Sequence, residues 1–253
     1  MMRFLATLLL LPTFVQAQGR VEYTVVTTLN VELPPDMEAF RDQIPTETTA
    51  RRELVFDDAA ALTRPAETPV AKPGEAPTEA DRPHGPSVRV TVLGAGHGAS
   101  HGEDETYLDR ATGEMVRTRD LLGRTFRVTG AAPALRWRLT GEQSTFLGYA
   151  CQRAVAERDG RTVEAWFAPE LAEALGPDAY GGLPGLILVL RDGHVSYEAT
   201  AVALGPLADG APPPPSEGQE VTSEAFETLQ AERLRDLETM GGPGGGSVRI
   251  LRR

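Results

Sequence analysis

Apolar residues recur at every second position along most of this chain. A period of two suits only strands with one face buried. Val21, Tyr23, Val25, Thr27, Leu29 and Val31 fall on one face, while Glu22, Thr24, Thr28, Asn30 and Glu32 mostly line the other. Pro34-Pro35 end that strand, and residues 36–43 suit a helical turn before Pro45. Further short strands are predicted at 53–56, 88–93, 107–110, 115–119, 124–128 and 135–139. Asp159-Gly160 is expected to join 152–157 to 162–167, and Asp192-Gly193 to join 186–190 to 195–200, because Asp-Gly tolerates the positive φ of tight hairpin turns.

Helix is scarce. Residues 169–175 suit one or two turns opened by Pro169. Residues 222–237 form the longer candidate, capped by Ser223, with Phe226, Leu229, Leu234 and Leu237 as its apolar stripe and glycines 241–242 as its stop. Residues 248–251 suit a terminal strand or a disordered end. The predicted fold is therefore mainly β: a single curved antiparallel sheet, half-barrel or bowl-like, with one C-terminal helix and a short helix before the 186–190 strand. With 253 residues, 41% of them hydrophobic, the chain can build one sizeable core. The domain is placed at 18–251. A proline-rich insert at 64–86 lacks the apolar surface to offset its ordering entropy and reads as a mobile loop. The run 212–215 makes 208–218 a stiff spacer, and 241–247 is a glycine-rich tail.

Residues 1–17 read as a secretory leader. Arg3 precedes an apolar run at 4–11, and Val15-Gln16-Ala17 offers small residues at a cleavage site near Ala17. The run is too short to span a bilayer, which takes roughly 20 residues. No transmembrane segment is expected elsewhere. The formal net charge of −11 makes nucleic acid a poor partner, since phosphate binding needs a basic face. The single cysteine, Cys151, allows no intramolecular disulfide.

Gly182-Leu183-Pro184-Gly185-Leu186-Ile187 spells GLPGLI. With Gly148-Tyr149-Ala150-Cys151 and Ala154, Ala165-Trp166-Phe167, Gly176-Pro177, and the terminal segments Pro34-Pro35-Asp36-Met37 and Val221-Thr222, the chain resembles the GLPGLI family of exported bacterial proteins, found mainly in Bacteroidetes. The resemblance implies a protein of unknown function, often encoded near TonB-dependent outer-membrane transporters. Part of that family is related to a non-catalytic bowl-shaped domain attached to some secreted glycan-cleaving enzymes, and no catalytic residues come with it. Read physically, Gly181-Gly182 permit positive φ or close approach, Pro184 belongs at a strand start or edge, and Gly185 allows a bend before a buried strand. The segment is either a corner that closes the sheet or a contact loop. In the second case Gly182, Leu183, Pro184, Gly185, Leu186, Ile187 and Trp166 are the candidate partner-contact residues.

Other chemistry is thinner. His97 and His101 with Glu103, on a glycine-rich loop, offer weak zinc or copper ligands, with His84 as a third imidazole, or simply a solvated loop. Cys151 with His194 as base is a nucleophile hypothesis set against an ordinary buried thiol. Carboxylate pairs Glu103/Glu105 and Glu157/Glu164 lack any sign of a shared cleft. Trp137, Trp166, Phe167 and Tyr180 make either core or an aromatic ligand surface, and Trp166 should face away from Phe167. The expectation is an exported, non-enzymatic envelope protein, periplasmic or outer-membrane-associated. Its curved sheet would hold a ligand or partner for an outer-membrane transporter or receptor. A copper- or zinc-binding envelope protein is the alternative, and a hydrolase comes behind both.

Overall fold

A computed structural model describes residues 18–28, 31–32, 46–66, 104–208, 210–240 and 249–250. The leader at 1–17, the turn at 36–43, the strand at 88–93, most of the proline-rich insert and the tail at 241–247 lie outside the described residues. So do His84, His97, His101 and Glu103. Among the described residues no helix is long and apolar enough to cross a membrane.

One 12-stranded sheet dominates. β1 (Gly19–Thr28) lies inside it, paired antiparallel with β3 (Glu47–Phe56) on one side and β12 (Val195–Leu204) on the other. β2 (Val31–Glu32) stands apart, paired with β14 (Arg249–Ile250). From β3 the sheet runs outward through β4 (Ala60–Pro65), β5 (Thr106–Asp109), β6 (Glu114–Leu121) and β7 (Arg124–Ala131). From β12 it runs through β11 (Leu186–Asp192), β10 (Arg161–Ala168) and β9 (Tyr149–Arg158) to an edge at β8 (Arg138–Phe146). β13 (Gln219–Thr222) pairs with β7 in parallel, the exception in an otherwise antiparallel sheet.

The alternation decides the faces. Val21, Tyr23 and Val25 stand in register with Leu54, Arg52 and Ala50 on β3 and with Val202, Ala199 and Tyr197 on β12, and the three β1 side chains are at most 1% exposed. These residues, with Val163, Ala165, Phe167 and Leu190, form the inner face. Each large apolar side chain fully buried there is worth about 1.5–3 kcal/mol.

Several boundaries differ from the sequence reading. β4 takes Arg64 and Pro65, so the insert begins later than residue 64. Proline is tolerated at the strand end, and Arg64 Nε donates to Glu53 at 2.6 Å. β8 occupies 138–146 rather than 135–139, and its hairpin turns on Leu147-Gly148, both at positive φ. The turn after β11 is Gly193-His194, with Asp192 still paired to Val195 in the ladder. Glycine takes the positive φ there (59°), which leaves the Asp192 side chain to the interior.

No helix forms at 169–175. The short helix is a 3-10 turn at Pro177–Ala179. The C-terminal helix α1 (Ser223–Met240) stops where the glycines begin. Thr222, not Ser223, caps it: Ala225 N–H donates to Thr222 Oγ1 at 3.2 Å, while Ser223 Oγ donates to the Thr129 carbonyl. Phe226 packs edge-to-face on Phe126 of the inner face. The proline run 212–215 crosses the opposite, outer face. Pro212 and Pro215 are buried while Pro213 and Pro214 are exposed, the three-residue period of a polyproline helix laid on a surface.

Candidate functional site

The hollow of the sheet is occupied by the chain itself. At Ala168 the β10 ladder ends, and Pro169, with no N–H to donate, starts a 17-residue excursion that returns at Leu186. Leu171, Leu175 and Leu183 anchor this loop in the core, each at most 5% exposed. Its ends are stitched together by Leu186 N–H to the Leu171 carbonyl and Ile187 N–H to the Leu175 carbonyl, both 2.9 Å. Tyr23 donates its hydroxyl to the Ile187 carbonyl at 2.7 Å, and Trp137 Nε1 donates to the Gly181 carbonyl at 2.9 Å.

At the centre of the loop Asp178 and Ala179 both adopt left-handed backbone, with φ of 50° and 62°. Such residues persist only where their surroundings hold them. Asp178 is held at four points. Arg52 Nη2 donates to its Oδ1 at 3.2 Å, and the Tyr197 hydroxyl donates to Oδ2 in a very short contact. Its N–H donates to Thr63 Oγ1 at 3.0 Å, and its carbonyl accepts from Arg117 Nη2 at 3.2 Å. Two guanidiniums thus converge on one residue in the interior, Arg52 being 1% and Arg117 7% exposed. Burial, with neighbouring Arg119 adding to it, pushes the Arg117 guanidinium down to about 10.

Two residues on, Tyr180 forms a second polar knot. Its hydroxyl donates to Asp192 Oδ2 at 2.5 Å and accepts from Arg158 Nη1 at 2.6 Å. Arg158 also pairs with Asp192 at 3.2 Å and sits 5.3 Å from the Tyr180 ring centre. Burial pushes the Tyr180 phenol above the usual tyrosine range; Arg158 opposes this and Asp192 adds to it. Burial also raises Tyr23, and at Tyr197 burial first and Asp178 second do the same.

The three phenols fix a pH dependence. A group whose folded pKa is raised contributes stability that is fully present below its unfolded value, here 10.0, and lost as pH rises beyond it. Arg117, with a lowered folded pKa, works in the opposite sense, but one group is set against three. Stability should therefore be insensitive to these groups below pH 10 and fall above it. Thermal melts followed by circular dichroism on both sides of that value test this. A midpoint that holds or rises on going alkaline would contradict it.

The signature residues divide by role. Leu183, Leu186 and Ile187 are at most 2% exposed, and Gly185 is buried, whereas Gly182 and Pro184 are exposed. A Cβ on Gly185 would lie 2.3 Å from the Ala168 carbonyl oxygen and one on Gly181 2.6 Å from that of Ala174. Gly182 has open space around it but a φ of +83°. Trp166 does stand opposite Phe167. It packs edge-to-face on Phe146, with Nε1 donating to Glu164 Oε1 at 3.1 Å. On the same outer face Arg153 and Arg191 both pair with Glu164. Phe167 and Tyr180 are core residues (0% and 5% exposed), so the four aromatics do not make one ligand surface.

The other candidates are not brought together. Cys151 is 1% exposed, and burial pushes its thiol up. His194 is exposed in the turn after β11. Cys151 lies seven residues before Arg158, roughly 23 Å along the strand, and it is Arg158 that reaches Asp192 near that turn. Glu157 accepts from Thr162, while Glu164 is engaged by the two arginines. Glu105 borders the outer face, and Glu103 lies outside the described residues. Sequence reasoning missed Asp178, Arg52, Arg117, Thr63 and Tyr197 as a unit. The available signal was Arg52, two residues before Leu54 and four before Phe56 on the face that must be buried.

The loop and its two flanking strands are also where comparison with known proteins gives an answer. Residues 156–189 match the family model described as "Protein of unknown function (Porph_ging)". The match runs from the end of β9, through β10 and the whole 169–185 loop, into β11, and so contains Asp178, Tyr180 and Arg158 of the two polar knots but not Arg52, Thr63, Arg117, Asp192 or Tyr197. No curated protein matches. Among solved structures the chain is similar to PNGF-II, in its C2 and its P21 space groups, each with a TM-score of 0.49 and 14% identity. Each comparison covers 85% of this chain, which spans only 33% of that one.

Proposed function

We propose that this chain is an exported, non-enzymatic envelope protein of the GLPGLI type, a rigid accessory that presents a contact surface to a partner of an outer-membrane transport system. One observation carries the reading: the hollow where a bowl would hold a ligand or substrate is filled by the protein's own loop, whose polar groups bind one another. We therefore take the exterior, rather than the hollow, as the recognition surface. Of the signature, only the exposed backbone and ring at Gly182 and Pro184 are available to a partner. Export is supported by the leader-like residues 1–17, and the transporter association by the family resemblance.

Photo-crosslinking in the native envelope tests the proposal. A photoreactive side chain at Pro184 should give an adduct with a specific outer-membrane transporter or receptor, while the same group at Glu198, exposed on β12, should not. Equal labelling from both sites, or none from either, would remove the signature as a contact.

A further inference from the structure

Gln18 directly follows Ala17, the residue at which the leader-like segment offers a cleavage site. Gly19, next along, is buried between β3 and β12, and a Cβ there would lie 2.8 Å from the Ala203 carbonyl oxygen. The chain is therefore held from Gly19 onward, and Gln18 is the last residue before the sheet takes hold. The polar atoms of Gln18 fall into two sets. Its main-chain carbonyl accepts from Gly205 N–H at 2.9 Å, and its side-chain Oε1 accepts from Leu207 N–H at 3.4 Å. Its backbone nitrogen and Nε2 make no hydrogen bond among the described residues. Cleavage after Ala17 turns that backbone nitrogen into an α-amine within reach of the side-chain amide of the same residue. Closing the two into an unstrained lactam ring is intramolecular and needs no second reactant. The amine attacks Cδ, the Cδ–Nε2 bond breaks, and Nε2 leaves as ammonia with a proton given up by the amine. Both oxygens that the fold uses survive in the product, and the nitrogen that is lost is one the fold leaves alone.

We infer that Gln18 is a modification site: the N-terminal residue of the mature chain, cyclised to pyroglutamate. The lactam is neutral, so the start of β1 carries an amide rather than an ammonium beside buried Gly19, where a charge is costly. The inference rests on the export reading, through removal of residues 1–17, and the test separates the two. The full chain, expressed with its leader in the native host, is purified from the envelope for intact-mass and N-terminal fragment mass spectrometry. The expected product begins at residue 18 and is lighter than the 18–253 sequence by one ammonia. Gln18→Asn, whose shorter side chain could close only a strained ring, should be cut at the same bond and keep its full mass. A chain beginning at Gln18 with a free amine would overturn the inference and leave export standing, as would a start at any other residue past the leader. A retained leader would overturn both. Loss of ammonia that persists in Gln18→Asn would place the reaction at another residue and overturn the assignment.

Discussion

Replacing Asp178 by alanine should be among the most destabilising single changes in this protein, about 3–5 kcal/mol, because it leaves the buried Arg52 and Tyr197 facing a vanished carboxylate. The backbone adds a separate cost. Position 178 has a φ of 50°, which aspartate tolerates better than alanine, so Asp178→Gly should be milder than Asp178→Ala by about 1 kcal/mol. Asp178→Asn keeps an acceptor for Arg52 and should recover part of the loss. Urea unfolding of the three variants checks the ordering. If Ala, Gly and Asn were all within about 0.5 kcal/mol of the parent, the network would be decorative and the loop held by its leucines alone.

The second large effect lies in the signature. Gly185→Ala places a methyl 2.3 Å from the Ala168 carbonyl oxygen and 2.9 Å from Pro169 Cα, both backbone and unable to rotate away. A loss of at least about 2–3 kcal/mol is expected, with repacking of the loop's exit. Gly182→Ala meets nothing within 4 Å and should cost only its left-handed backbone, about 1 kcal/mol. Denaturation midpoints of this pair separate the two roles, and equal midpoints would contradict the assignment. A bulky residue at Gly185 is therefore unusable for probing partner contact, since it disturbs folding first. Pro184 is the position to vary.

Much of the fold was legible because burial is one-sided. Alternation located β1, β9, β10, β11 and β12, and Asp159-Gly160 is the hairpin turn expected, both residues at positive φ. Where the pattern breaks down, so does legibility. β4 reads Ala-Ala-Leu-Thr-Arg-Pro and is buried on both faces near its start, leaving no period of two to find. β13 carries only Val221 as an apolar residue and was invisible. At 169–175 proline and helix-forming residues point to a helix, but Leu171, Leu175 and Leu183 are each drawn into the core, and tertiary burial overrides local propensity. The candidate site was legible as a segment but not as a network. GLPGLI drew attention to residues 182–187, whereas the residues that hold the loop in place come from β3, β4, β6 and β12. No local pattern announces that Arg52 and Tyr197, 145 positions apart, meet at Asp178.

The position of β1 has a consequence for the order in which the molecule can be made. It is the first strand among the described residues, yet one of its two neighbours, β12, lies more than 160 residues downstream, as does the Ile187 carbonyl that receives the Tyr23 hydroxyl. Until β12 exists, the apolar row Val21, Tyr23 and Val25 has only β3 beside it and an unpaired edge open to other chains. Contacts so distant in sequence make for slow folding, and a nascent chain waiting in that state is exposed to aggregation. Folding of the whole sheet is thereby tied to the completion of its C-terminal half, and a chain cut short before residue 195 would keep that edge open for good.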